Sequence, residues 1–264
     1  MSITTVGNQL IHYEVLGRGE PLIFIHGWLG SWRYWWPSMQ AMSAAQHRAF
    51  AFDLWGYGDS SKAEHLYSMD SYVEMLKLFI DQLGIATPVT LVGHSLGAAV
   101  AVRYANENPD DVGKIAAVSL PLQGEYIHNR LLNTDPVTFL NKVVGKSNSF
   151  NEVDSEIGKA DPVAVQRLAE ELNRRDVLMD LELCECPVLM VFGGQDTVVR
   201  PPEDDLPGLE GAENNRYLVA LDNCHHFPML QEKAKFNRLL LDFIHASSSM
   251  TQLTVKEYWQ RRTR

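Results

Sequence analysis

The chain is poor in cysteine, short of positive charge and free of long apolar runs, and each shortage closes off a class of protein. Its 264 residues include 3 cysteines, Cys184, Cys186 and Cys224. That odd number builds no disulfide framework and fits a reducing compartment. Cys184-x-Cys186 has no second pair at zinc-site spacing, so its thiols read as buried or idle and no metal is expected. Lysine and arginine number 23 against 33 acidic residues, a formal net charge of −10. Nucleic acid and anionic membrane surfaces both need basic patches, so neither is expected as a partner. No apolar run approaches a membrane span, the longest being broken by His26, His94 or glycine. The opening Met-Ser-Ile-Thr-Thr-Val-Gly-Asn has no basic region followed by an apolar core, so no secretory signal is expected and the location reads as cytoplasmic. Internal repeats and low-complexity segments are also missing.

What remains is a chain with 45% hydrophobic residues, long enough for one α/β domain with an insertion. Its centre is Val89–Gly97, Val-Thr-Leu-Val-Gly-His-Ser-Leu-Gly. Residues 89–92 have the length and β-branching of a buried strand, and 98–102 favour a helix. Between them stands Gly93-x-Ser95-x-Gly97, the strand–turn–helix setting of a nucleophile elbow. A turn this sharp strains its central residue, and side chains two positions to either side would collide with the strand and helix. Glycine at 93 and 97 removes those collisions and leaves Ser95 at the strand's C-terminal edge, facing a helix N-terminus.

Strands are expected at 3–6 and 9–15 around a Gly7-Asn8 turn, and at 22–25, 48–52, 115–119, 187–192 and 216–221. Helical spacing covers 32–45, 68–83 and 229–245. The alternation predicts an α/β fold, a mostly parallel sheet covered by helices on both faces. It stops between 121 and 186, where helical patterns at 135–144 and 162–172 stand alone. Residues 151–186 hold ten acidic and four basic side chains, an acidic surface. The division is therefore a core of 1–120 with 187–245, a helical cap at 121–186 inserted before the last two strands, and a C-terminal extension, 246–264, with a short basic helix at 255–262. Such a cap lies over the sheet edge where these folds carry their sites.

A serine hydroxyl needs a base, and histidine titrates near neutral pH. His12, His47, His65 and His245 read as surface residues and His128 as part of the cap. His225 and His226 instead follow the last strand and precede a helix that Pro228 can begin, on the same edge as Ser95. An acid is expected there too. Asp196 follows the strand 187–192 and a Gly193-Gly194 turn, in the chain order Ser…Asp…His. Its rivals are Glu203, Asp204, Asp205 and Asp222, the last too close in sequence to His226 to bond it comfortably. Trp32, Tyr34, Trp35 and Trp36 read as pocket, core or a dimer face, with core the favoured reading.

Together His26-Gly27-Trp28, Asp53-x-x-Gly-x-Gly-x-Ser60, Gly93-x-Ser95-x-Gly97, Gly194-x-Asp196 and His226-x-Pro228 resemble the α/β-hydrolase fold family over roughly residues 3–245. The resemblance implies Ser95 as nucleophile, His226 as base and then acid, Asp196 as its orienting partner, and no cofactor. The family's Gly-His-x-Pro pattern has His225 at the glycine position here, and the spacing to Pro228 assigns the role to His226. An oxyanion hole is expected at the backbone N–H groups of Trp28 and Leu96, with His26 holding the loop. Serine at 95 argues against the family's epoxide hydrolases and haloalkane dehalogenases, which carry aspartate there. The elbow also departs from the Gly-Gly-Ser-Trp-Gly of its proline-releasing peptidases. The expected function is a serine carboxylesterase acting on small to medium esters, lactones among them, as monomer or homodimer. Trp28, Leu120 and Tyr126 would line the apolar pocket. Carbon–carbon bond hydrolysis or cofactor-free perhydrolysis would use the same triad. A non-catalytic ligand receptor on the same fold is the reading from another class.

Overall fold

A computed structural model describes residues 2–28, 30–141, 150–202 and 215–246. Its frame is an eight-stranded sheet in the order β1-β2-β4-β3-β5-β6-β7-β8. β1 (Ser2–Val6) and β2 (Gln9–Gly17) form an antiparallel hairpin, and β2 runs antiparallel to β4 (His47–Phe52). From β4 onward the neighbours are parallel: β3 (Glu20–Ile25), β5 (Val89–His94), β6 (Val112–Val118), β7 (Val188–Gly193) and β8 (Arg216–Leu221). The central strands read as continuous apolar runs because both of their faces are covered, and every residue of β7 is buried.

α1 (Trp36–Ala44) packs on β2 and β4 and against α9 (Lys233–His245). α2 (Met69–Leu83) packs beside α3 (Leu96–Glu107), which lies along β5 and β6. α2 shows how local sequence sets an element. The Ser68 hydroxyl accepts the Ser71 N–H at its start, and Gly84 closes it in the left-handed conformation at φ 57°. Tyr72, Met75, Leu76 and Phe79 are all buried along one face, each contributing about 1.5–3 kcal/mol of apolar burial.

Between β6 and β7 no described residue lies in a strand of the sheet. This segment carries α4 (Pro136–Phe139), α5 (Asn151–Asp154), α6 (Pro162–Arg174) and α7 (Val177–Leu183). Among the described residues its β-pairing with the core is one isolated antiparallel bridge, Ile127 to Val199. α4 starts where Asp135 accepts the Thr138 N–H, as its sequence pattern predicts, but the expected end at Val144 lies outside the described residues. α5 and α7, of four and seven residues, are too short for periodicity to announce.

Several expectations are corrected. The single helix expected over 32–45 is a 3-10 turn, Trp32–Trp35, followed by α1. Pro37, in the first turn of α1, has no N–H to continue a ladder from the residues before it. The helix expected over 229–245 is broken into α8 (Pro228–Gln231) and α9, because Glu232 between them leaves the helical region at φ −117°, ψ 51°. His12 and His47 are buried rather than on the surface. Trp32, Tyr34 and Trp35 are core, whereas Trp36 is exposed. The C-terminal basic helix lies outside the described residues. Among the described residues no helix is long and apolar enough to cross a membrane.

Candidate active site

Ser95 occupies the turn between β5 and α3 at φ 54°, ψ −116°. An L-residue there is strained, and the surrounding packing holds it. The reason for the flanking glycines is now measurable. A Cβ on Gly93 would lie 2.4 Å from the Gly97 carbonyl oxygen, and one on Gly97 would lie 2.4 Å from that of Ile25. No side chain fits at either place. The Ser95 N–H donates to the Val118 carbonyl at 2.8 Å, fixing the turn against the end of β6. The Ser95 hydroxyl is fully buried and has no hydrogen-bond partner among the described residues.

Asp196 and His226 meet on the same edge. The His226 Nδ1–H donates to Asp196 Oδ2 at 2.9 Å, and both side chains are buried. That bond sets the ring's tautomer: a neutral His226 carries its proton on Nδ1 and a lone pair on Nε2. Asp196 also receives the Ser119 hydroxyl on Oδ2 at 2.9 Å. The Val198 and Val199 N–H groups reach its Oδ1 at 2.8 and 3.1 Å. Four donors thus satisfy the oxygens of a carboxylate that is out of water. The two loops are joined by main chain as well, with the Gln195 N–H donating to the Cys224 carbonyl at 2.9 Å.

The His26-Gly27-Trp28 loop lies against the elbow. A Cβ on Gly27 would stand 2.9 Å from the Ser95 Cβ. The His26 Nδ1–H donates to the Gly27 carbonyl, and its Nε2 accepts the Leu54 N–H, both at 2.9 Å. Burial lowers its pKa, which keeps the ring neutral and able to accept. Leu96 opens α3, so its N–H has no acceptor within the helix. Neither the Trp28 nor the Leu96 N–H donates to a turn, loop or cap carbonyl among the described residues.

The remaining sequence candidates fall elsewhere. His225 is half-buried, its backbone N–H donating to Gln231 Oε1 at 2.6 Å. Asp222 is exposed beside Lys235 in a surface cleft, and Glu203, Asp204 and Asp205 lie outside the described residues. Leu120 and Tyr126 are buried, and the Arg200 guanidinium lies 5.8 Å over the Tyr126 ring. Sequence reasoning missed Ser119, whose one signal is a hydroxyl just after a buried strand on the functional edge.

The described residues include one group with metal-ligand proximity, His12, Asp53 and Asp59, whose ligand atoms lie within 4.8 Å of one another. The Asp53 oxygens already accept from three donors. Asp53 Oδ2 accepts from His12 Nδ1 at 2.9 Å and from the Asp59 N–H at 3.0 Å, and Oδ1 accepts the Trp32 N–H at 2.9 Å. Asp59 faces the Lys159 ammonium at 3.2 Å. These residues fit a loop anchor rather than a cation.

The α/β-hydrolase fold family model matches residues 20–182. A superfamily protein of unstated activity, YisY of Bacillus subtilis (strain 168), is 26% identical over 264 residues, covering 91% of this chain and 97% of its own. A Pseudomonas putida protein named 2-hydroxy-6-oxononadienedioate/2-hydroxy-6-oxononatrienedioate hydrolase 2 is 27% identical over 271 residues, covering 89% and 91%. Among solved structures, an esterase from Exiguobacterium antarcticum superposes with a TM-score of 0.80 over 93% of this chain and 99% of its own, at 19% identity, a likeness of fold alone. With the family model matched over most of the chain and the fold shared over 93% of it, this protein belongs to the α/β-hydrolase fold family of enzymes.

Proposed function

We propose that this α/β-hydrolase is a serine hydrolase that cleaves carboxylic esters, lactones among them, through an acyl-enzyme. The observation that carries the reading is Ser95 held at positive φ next in sequence to His94, whose ring lies 4.5 Å from that of His226 in a buried His226–Asp196 pair. In the proposed cycle the Ser95 Oγ attacks the carbonyl carbon while its proton passes to His226 Nε2. The oxyanion so formed accepts from the Trp28 and Leu96 N–H groups, each worth roughly 3 kcal/mol of transition-state stabilisation. On collapse the C–O bond breaks and the leaving alkoxide takes the proton from Nε2. Water then attacks the acyl-enzyme, giving its proton to Nε2, and the acid departs as that proton returns to Ser95. The Ser95–His226 bond is open in this structure, and such bonds commonly close only with substrate. With no other partner, the Ser95 hydroxyl is free to make it. Trp28, Leu120 and Tyr126 are proposed to line the acyl pocket.

A second reading, hydrolysis of a carbon–carbon bond beside a ketone, draws on the similarity to the Pseudomonas putida hydrolase and would use the same residues. The test is turnover of p-nitrophenyl esters of graded acyl length and of lactones, with Ser95→Ala beside the wild type. Ser95-dependent turnover of esters supports the proposal. Inert esters and lactones together with cleavage of a 1,5-diketone would replace it with the second reading. A chain inert to all of these and unlabelled by a fluorophosphonate would point to a receptor.

A further inference from the structure

Between the loop that carries Trp28 and the loop that carries His226 runs a buried chain of hydrogen bonds. The Gly27 N–H donates to the Tyr34 hydroxyl oxygen at 2.6 Å. Tyr34 Oη meets His94 Nδ1 at 2.9 Å, and His94 Nε2 meets the His226 backbone carbonyl at 2.8 Å. Gly27 N–H, Tyr34, His94 and His226 are all out of solvent. The two ends of this chain settle its direction. An amide N–H can only donate and a carbonyl can only accept. Tyr34 therefore donates its single proton to Nδ1, and His94 carries its proton on Nε2, pointing at the carbonyl.

We propose that Tyr34 and His94 are positioning residues for the reaction, forming a one-way hydrogen-bond relay that holds the oxyanion-side loop and the His226 loop in register with Ser95. The inference rests on the proposed serine-hydrolase reading for its effect on rate, though not for the relay itself. His94 is the residue immediately before Ser95 on the chain, so one end of β5 presents both the candidate nucleophile and the side chain that fixes its base. The rings of His94 and His226 lie 4.5 Å apart, and Phe227 lies 5.3 Å from His94 and 5.9 Å from Tyr34. This aromatic enclosure keeps water from replacing the bonds. Burial, together with the neighbouring His226, drives the His94 pKa well below its ordinary value, and burial drives that of Tyr34 well above. Both stay neutral, as the relay requires. In the opposite tautomer the Nε2 lone pair would face the carbonyl lone pairs, and the His226 backbone would be pushed away from Asp196. A displacement near 1 Å at a reacting group costs on the order of a hundredfold in rate.

The experiment separates relay from packing by the order of two variants. His94→Gln places an amide N–H where Nε2–H stands but gives up the ring. His94→Phe keeps the ring and gives up both bonds. Under the relay, Tyr34→Phe and His94→Phe lose roughly 10- to 100-fold in kcat with KM within about twofold, and His94→Gln recovers most of the loss. A packing role reverses that order, His94→Phe outperforming His94→Gln, and would overturn the proposal. Nitrogen-15 imidazole shifts of histidine-labelled wild type supply a readout that needs neither turnover nor a folded variant. His94 is expected as the neutral Nε2–H tautomer at pH 7, and stays so in Tyr34→Phe, where the His226 carbonyl still accepts, while its Nδ1 shift moves with loss of the Tyr34 hydroxyl. An Nδ1–H or protonated His94 in the wild type would remove the relay whatever the substrate. A wild type with the expected tautomer but no Ser95-dependent turnover would leave the relay standing and remove the serine-hydrolase reading.

Discussion

Among the described residues stand two buried histidine–aspartate pairs, and they are nearly the same object. His226 donates from Nδ1 to Asp196 and His12 donates from Nδ1 to Asp53, each at 2.9 Å and each buried. Both carboxylates take further N–H donors from the backbone. What separates the pairs is the far side of the ring. The His226 ring lies 4.5 Å from that of His94, the residue that precedes Ser95, on the C-terminal edge of the sheet. His12 sits within β2, its Nε2 buried with no partner and the Trp32 ring edge-on at 6.0 Å. With no hydroxyl to activate, the second pair ties β2 to the loop that follows β4, and the Ser60 hydroxyl reinforces it by accepting the His12 N–H at 3.0 Å. A buried dyad is a common structural device; a third group on the functional edge makes it a candidate for catalysis.

The comparison can be broken most directly at the serine. Ser95→Ala and His226→Ala are each expected to lower kcat/KM for esters by about 10⁴-fold or more, read in a p-nitrophenyl ester assay. Asp196→Asn is expected to cost about 10³- to 10⁴-fold, since the amide can hold His226 in the wrong tautomer, and the same assay reports it. His12→Leu should divide the two pairs cleanly. Urea denaturation is expected to show a loss of about 3 kcal/mol, from a buried Asp53 carboxylate left without one of its hydrogen-bond donors, while kcat/KM stays within about threefold. A hundredfold loss of kcat/KM in that variant would mean the second dyad serves the reaction.

The smallest effect comes from rings bonded to no carboxylate. Burial lowers the pKa values of His26 and His94 in the folded state. Above the ordinary histidine value of 6.5 both states are neutral and the full stability is present. As pH falls below it, the unfolded chain takes up protons that the folded chain refuses, so stability is lost. The loss is expected to begin near pH 6.5 and to steepen below it, with a ceiling of about 1.4 kcal/mol per pH unit for each ring. Melting temperatures below that pH would measure it, and His94→Gln should flatten it.

Much of the frame was legible because it depends on neighbours in sequence. The apolar runs of β3, β5 and β7, the elbow glycines and the strand-end positions of Asp196 and His226 are local signals. The rest depends on distant partners. His12 looks like an outward residue until the loop 41 residues on covers it through Asp53. Ser119 reaches Asp196 across 77 residues, and Tyr34 reaches His94 across 60. No periodicity records such meetings. The choice between His225 and His226 lay between: spacing to Pro228 favoured the second, and that is the ring the structure brings to Asp196.

The bridge between Ile127 and Val199 bears on how far this protein can be taken apart. Around it the His128 N–H donates to the Val198 carbonyl and the Arg200 N–H to the Tyr126 carbonyl, both at 2.9 Å. Val198 and Val199 are the residues whose own N–H groups hold Asp196. The segment between β6 and β7 is thus a buttress for the loop that holds Asp196. A minimal version trimmed to the sheet and its flanking helices would keep Ser95, Asp196 and His226 and lose the scaffolding behind Asp196. Modularity in this fold ends at the acid.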